Sequence, residues 1–182
     1  MTMIRILLVL ALLYPADARA QDRHSAADPL LDALKAAPSE DIARPLETRV
    51  IQMWIEAGSP AVTLLMSRGL RNMKADANDD AMDVFTDAIT LDPNLAEAYH
   101  QRAIARYHTG DTPGAIRDLE ETLRHEPRNF AAFRTLSEIA AAREDWKGAY
   151  AAWQKLLEID PKTPGGTERL NELKHKAFGE DA

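Results

Sequence analysis

Three stretches decide the fold: AMDVFTDAITLDP (residues 81–93), AIRDLEETLRHEP (115–127) and AYAAWQKLLEIDP (149–161). Each opens on an alanine (Ala81, Ala115, Ala149) and carries a bulky apolar residue four positions later (Phe85, Leu119, Trp153). Each closes on an acid–proline pair, and successive stretches lie 34 residues apart. Two further columns keep the same period upstream: a small one at Gly69, Ala103 and Ser137, and a large apolar one at Leu65, Tyr99 and Phe133. Size-matched columns at one fixed spacing are the mark of a repeat architecture, in which each unit buries its apolar face only against its neighbours.

Each unit reads as two helices joined by a short polar turn, at Ala75–Asn78, Thr109–Thr112 and Arg143–Asp145. The small residues let the two helices of a hairpin approach closely, and the large ones fill the groove to the next hairpin. Thr112-Pro113 makes a good helix start, with Thr112 expected as the N-cap. The closing prolines cannot continue a helix and mark the next turn. Composition agrees: 31 Ala and 21 Leu stand against 4 Val and 10 Ile, and aromatics make up 6%. Such a chain favours helices over strands.

With these residues in place, the chain resembles the tetratricopeptide-repeat family, whose 34-residue unit carries W-x2-L-G-x2-Y, then A-x3-F, then P. Ala81-x3-Phe85, Ala115-x3-Leu119 and Ala149-x3-Trp153 fit the second half. The first half departs from it. Arg68 and Arg102 replace the usual Leu, which Leu136 keeps, and Asn72, Arg106 and Ala140 stand where Tyr is usual. Thr122 and Leu156 occupy the position at which Ala88 is small. The resemblance covers about residues 62–163 and implies an all-α, right-handed α-solenoid of three helix-turn-helix repeats (62–95, 96–129, 130–163).

The ends read differently. Stepping one period upstream puts Glu47 under Ala81 and Trp54 under Ala88, so residues 21–61 are an N-terminal cap and not a fourth repeat. The reading is a disordered start over Gln21–Asp28, a helix from Pro29 to about Ala36, and a second helix from the Ser39 N-cap to about Ala57. Pro45 is expected to kink or restart that helix. Val50, Trp54 and Ala57 share its face and are expected to pack on the first repeat. At the other end Thr163-Pro-Gly-Gly166 breaks the chain. Residues 164–182 then supply a capping helix from Thr167 to about Ala177, with Leu170 and Leu173 inward. Ahead of all this, a basic start (Arg5), the apolar run Ile6–Tyr14 and Ala18-Arg19-Ala20 have the order of a secretory signal cleaved after Ala20. The run has half the length a membrane-spanning helix needs, so the expectation is an exported, periplasmic protein without stable membrane insertion.

The net charge is −7, and loss of Arg5, Asp17 and Arg19 with the signal makes it one unit more negative. That surface argues against nucleic acid as partner. Cysteine is absent, which excludes disulfides, thiolate catalysis and Cys-ligated zinc. Of the five histidines, His100 and His108 share a helix but lie eight residues apart, about 12 Å along its axis, too far for one metal ion. The acids of Asp76–Asp80 alternate as in a calcium loop but lack its glycine and closing Glu. No nucleophile, phosphate-loop or zinc-protease motif occurs. No catalytic residue, metal site or cofactor is therefore expected.

The resemblance implies that the first helix of each repeat lines a concave groove. Its wall would be Met66, Ser67, Leu70 and Met73, then Glu97, His100, Gln101, Ile104, Tyr107 and His108, then Arg134, Thr135 and Glu138. Equally, these are ordinary exposed helix positions, with Met66, Leu70 and Met73 buried under the N-terminal helix. A groove of this kind suits an extended peptide or a partner helix. The basic clamp by which chaperone-binding members hold a C-terminal carboxylate is missing, since Met66, Leu70, Ala131 and Thr135 occupy its positions. The reading is a non-catalytic exported scaffold or adaptor that docks a protein or peptide. The alternative is a structural cell-envelope protein acting through self-association, as a homo-oligomer.

Overall fold

The computed structural model describes residues 16–179, with side chains from residue 26 onward. The apolar run Ile6–Tyr14 lies outside the described residues. Nine helices are described: α1 (Ala16–Lys35), α2 (Glu40–Glu56), α3 (Pro60–Lys74), α4 (Asn78–Leu91), α5 (Ala96–His108), α6 (Thr112–His125), α7 (Phe130–Ala142), α8 (Trp146–Ile159) and α9 (Gly166–Phe178). Three antiparallel hairpins, α3–α4, α5–α6 and α7–α8, stack in chain order with α9 against α8. The result is an all-helical solenoid.

The repeat columns work through steric fit. Ala81, Ala115 and Ala149 are fully buried at the helix crossings. Gly69 faces the Phe85 ring so closely that a Cβ there would come within 2.4 Å of a ring carbon. Ser137 keeps the same column in the third hairpin because its hydroxyl donates to the Ala149 carbonyl at 2.8 Å. The turns obey the period too. Asp76, Gly110 and Glu144 all have positive φ (59°, 91° and 59°). The N–H groups that follow, on Ala77, Asp111 and Asp145, each donate 2.9 Å back to the carbonyls of Asn72, Arg106 and Ala140. This is the six-to-one bond of a Schellman helix ending. At the unit boundaries Glu126 and Asp160 accept the backbone N–H two residues on, from Arg128 and Lys162. The intervening proline has no N–H to compete.

Several expectations change. The cap of α6 is Asp111, whose carboxylate accepts from Gly114 N at 2.9 Å, with Thr112 already helical. Asp145 and Asn129 cap α8 and α7 in the same way. At the chain's beginning the structure is more helical than expected. Residues 21–28 belong to α1, which passes through Pro29 without interruption. A mid-helix proline costs about 3 kcal/mol. The buried stripe Ala27, Leu31 and Leu34 spans Pro29 on both sides, and each buried Leu is worth about 2 kcal/mol, so packing carries the helix across it. Likewise α2 is one helix through Pro45.

The larger correction is where α1 and α2 go. They pair with each other and fold back along the solenoid, α2 touching α3 and α5, and α1 touching α8. Val50 and Trp54 pack with Phe130, Trp153 and Leu156 of the third hairpin, not on the first repeat. Only Ile55 and Ala57, at the end of α2, join the core of the first hairpin. The Trp54 and Phe130 rings meet with centroids 5.5 Å apart. The stripe on α2 identified a buried face correctly, but that face covers the first helices instead of capping the end of the stack.

Candidate functional site

The first helices α3, α5 and α7 present one face, and α2 lies across part of it. The residues expected to line a groove therefore divide into two groups. Met66, Glu97, His100 and Gln101 are buried, Met66 in the cluster that α2 joins through Ile55 and Ala57. Arg134 is half-buried and reaches Glu47 of α2 at 3.7 Å. Ile104 and Tyr107 are half-buried, as are Leu70 and Met73, and His108 and Glu138 are exposed. So the covered strip takes in Glu97, His100 and Gln101, while the later turns, at Ile104, Tyr107, His108 and Glu138, stay more open.

Beneath α2 the polar groups form a network. Glu97 is 1% exposed. Its Oε1 accepts from Gln101 Nε2 at 2.6 Å and lies 3.3 Å from His100 Nδ1, while Oε2 is 3.5 Å from Asn129 Nδ2. The other ring nitrogen of His100 is 3.1 Å from Thr135 Oγ1. These contacts tie α5 to α7 and satisfy a carboxylate that would otherwise be costly to bury. At the far end of the hairpin, Arg128 holds Asp28 and Asp32 of α1 at 3.2 and 2.7 Å.

One part of the contact is not satisfied. Among the described residues, three buried side-chain polar atoms lack a complementary group: Trp54 Nε1 has no acceptor, and Glu47 Oε1 and Asp160 Oδ2 have no donor group. Trp54 and Glu47 belong to α2, and Asp160 sits at the end of α8 beside Glu47. An orphaned buried group costs about 1–3 kcal/mol, and all three lie where α2 meets the third hairpin. Burial, then the hydrogen bond to the Glu47 carboxyl and its charge, push Asp160 up to about 7. The Lys162 N–H and the Thr163 hydroxyl pull the other way. Arg134 also donates to Thr163 Oγ1 at 2.7 Å.

A second buried aspartate was missed in the sequence. Asp118 lies between α5 and α6, 3% exposed. It accepts from Arg102 through both oxygens, at 2.9 and 2.8 Å, and from Arg106 at 2.9 Å. Arg102 also donates to Thr86 at 3.0 Å and stacks over the Tyr99 ring. This explains two departures from the family pattern: the residues in place of Leu and Tyr are the two cations that Asp118 requires. The available signal was the coincidence of unusual arginines one turn apart with an acid on the partner helix.

No family model matches the chain. It is 28% identical over 152 residues to a TPR repeat-containing protein of Rhizobium etli, spanning 84% of this chain and 74% of that one. Among solved structures it is similar to MamA, with a TM-score of 0.61 and 18% identity over 76% of this chain and 82% of that one. It is similar, too, to the first TPR of Spaghetti bound to an HSP90 peptide, with a TM-score of 0.60 and 19% identity over 65% and 94%. The fold is thus a tetratricopeptide-repeat solenoid, and both the sequence relative and the structural neighbours support the tetratricopeptide-repeat family. Among the described residues no helix is long and apolar enough to cross a membrane, and no cluster of three or more His, Asp or Glu side chains is placed to hold a metal ion.

Proposed function

We propose that this chain is a non-catalytic interaction module that receives a helical or extended segment of a protein partner on the face of α3, α5 and α7. The observation that carries the reading is α2 itself: the face already holds a helix, through Phe130, Arg134 and the buried strip of α5. A surface shaped for one amphipathic helix suits another. The Spaghetti domain binding an HSP90 peptide on the same fold lends support. The open turns at Tyr107, His108 and Glu138 are where a partner makes first contact. The order of charge, apolar run and small residues over Met1–Ala20 supports export to the cell envelope with cleavage after Ala20, and the packed stripe Ala27, Leu31 and Leu34 lies wholly downstream of that site.

The test is affinity capture from an envelope extract with the wild-type chain and with His108→Ala and Glu138→Lys, both exposed positions whose exchange leaves the core intact. A specific partner lost in both variants supports the face as the site. The same partner retained in both overturns it.

A further inference from the structure

The α1–α2 hairpin is held on the partner face by a contact between two buried acids. Ala43, Glu47, Val50 and Trp54 form one buried stripe on α2. The charged member of that stripe is an acid, and it meets another acid. Asp160 is fully buried and Glu47 nearly so, and each has one oxygen with no donor opposite it. A single proton placed between Glu47 Oε1 and Asp160 Oδ2 satisfies both oxygens at once. Two bare carboxylates held side by side out of water repel instead.

We propose that α2 is the resident ligand of the first-helix face, and that a proton shared by Glu47 and Asp160 latches the α1–α2 hairpin there, so that ionisation of the pair releases the hairpin and opens the face. The proposal rests on the reading of that face as the partner site and adds its regulation. It also defines the competing partner: an amphipathic helix with an acid, a β-branched residue and an aromatic at the spacing of Glu47, Val50 and Trp54.

The surroundings favour a switch over a fixed ion pair. The cation on α7 that faces the pair is Arg134, 3.7 Å from Glu47 Oε2 and shared with Thr163. The α8–α9 turn contributes the Lys162 N–H and the Thr163 hydroxyl. On α5, Glu97 and His100 are engaged with each other and with Gln101, Asn129 and Thr135. On α1, Asp28 and Asp32 are engaged by Arg128. On α2 itself, Arg44 pairs with Asp41. One long guanidinium contact does not neutralise two buried carboxylates.

The direction follows from linkage. An acid held at about 7 when docked and at its ordinary value when free binds a proton more tightly in the docked state. Docking is therefore strongest in acid and weakens as pH rises, by up to tenfold per unit until the docked Asp160 has ionised. Between pH 5 and pH 8 the docking constant falls about a hundredfold.

The chain has no cysteine, so two nitroxide labels report the hairpin's position without a background. Labels at Arg49→Cys on α2 and Glu120→Cys on α6, both exposed, are measured by pulsed electron resonance at pH 5 and pH 8, with helicity followed in parallel. The expected result is one distance at pH 5 and a second, longer population at pH 8 with helicity unchanged. Adding Glu47→Gln, which keeps a hydrogen bond to Asp160 without the second charge, abolishes the longer population. A single distance at both pH values in the wild type overturns the latch, as does a long population that persists in Glu47→Gln. Because no partner is present, failure here leaves the partner-capture result standing, and failure of capture leaves the latch standing.

Discussion

Two buried aspartates, Asp118 inside the second hairpin and Asp160 at the end of the third, are treated in opposite ways. Asp118, inside the second hairpin, is held by two guanidinium groups through three short contacts, and the same arginines also engage Thr86, Gly114 and Tyr99. Asp160, at the seam between the third hairpin and α2, faces Glu47 and has a backbone N–H and a hydroxyl for support. The first arrangement sets an acid between two cations and ties together helices that are adjacent in the chain. The second depends on a proton and joins segments far apart in sequence. Ion pairs between opposite charges build the repeat, and two facing acids, one of them raised to about 7, attach the hairpin to it.

That contrast is open to direct attack. The largest effect belongs to Asp118→Ala, which leaves Arg102 and Arg106 half-buried and facing each other without their acid. A loss of about 3–5 kcal/mol is expected in chemical denaturation, and a loss under 1 kcal/mol would remove Asp118 from the role assigned to it. Next comes Asp160→Asn. The wild type becomes less stable as pH rises from about 4 through about 7, because the folded acid, raised to about 7, gives up its proton in a site that favours the neutral form. The variant lacks that slope and gains about 2–3 kcal/mol on the wild type at pH 8 relative to pH 5, read from thermal or urea unfolding at both pH values.

A smaller change sharpens the seam. Arg134→Gln removes the cation nearest Glu47, so the Glu47 charge acts on Asp160 without its counter-ion and Asp160 holds its proton to a higher pH. The midpoint of the stability-versus-pH curve should move upward, by up to about one unit, whereas an unmoved midpoint means that Arg134 does not act on the pair. The smallest effect is a control remote from both acids. Glu144→Gly relieves a positive φ of 59° and should stabilise the chain by about 0.5–1 kcal/mol, equally at pH 5 and pH 8.

Much of the repeat is legible in the sequence, because its contacts join residues within one or two hairpins. Gly69 against Phe85, Ala115 against Ala103 and the acid–proline turns recur every 34 residues, so chance matches are averaged away. The positive-φ column could have been read as well, since Gly110 marks it in one unit, but Asp76 and Glu144 hide it in the other two. Arg102 and Arg106 were visible as departures without a reason until Asp118 was found opposite them. The candidate site was half legible. Its residues lie on the first helices α3, α5 and α7, some buried and some open, yet nothing in Ala43, Glu47, Val50 and Trp54 tells which surface their stripe will cover.

The sequence by itself determined a helical chain, the 34-residue period, the hairpins and the residues at their crossings, because those contacts are local and side-chain size alone selects them. Only the tertiary structure decided that α1 and α2 fold back over the first helices, that Trp54 meets Phe130, and that Glu47 meets Asp160. Apolar burial has no direction and rewards any complementary face. The partner of a stripe is therefore chosen by the shape of the whole stack, and the pairing of two acids 113 positions apart becomes visible once that stack has closed.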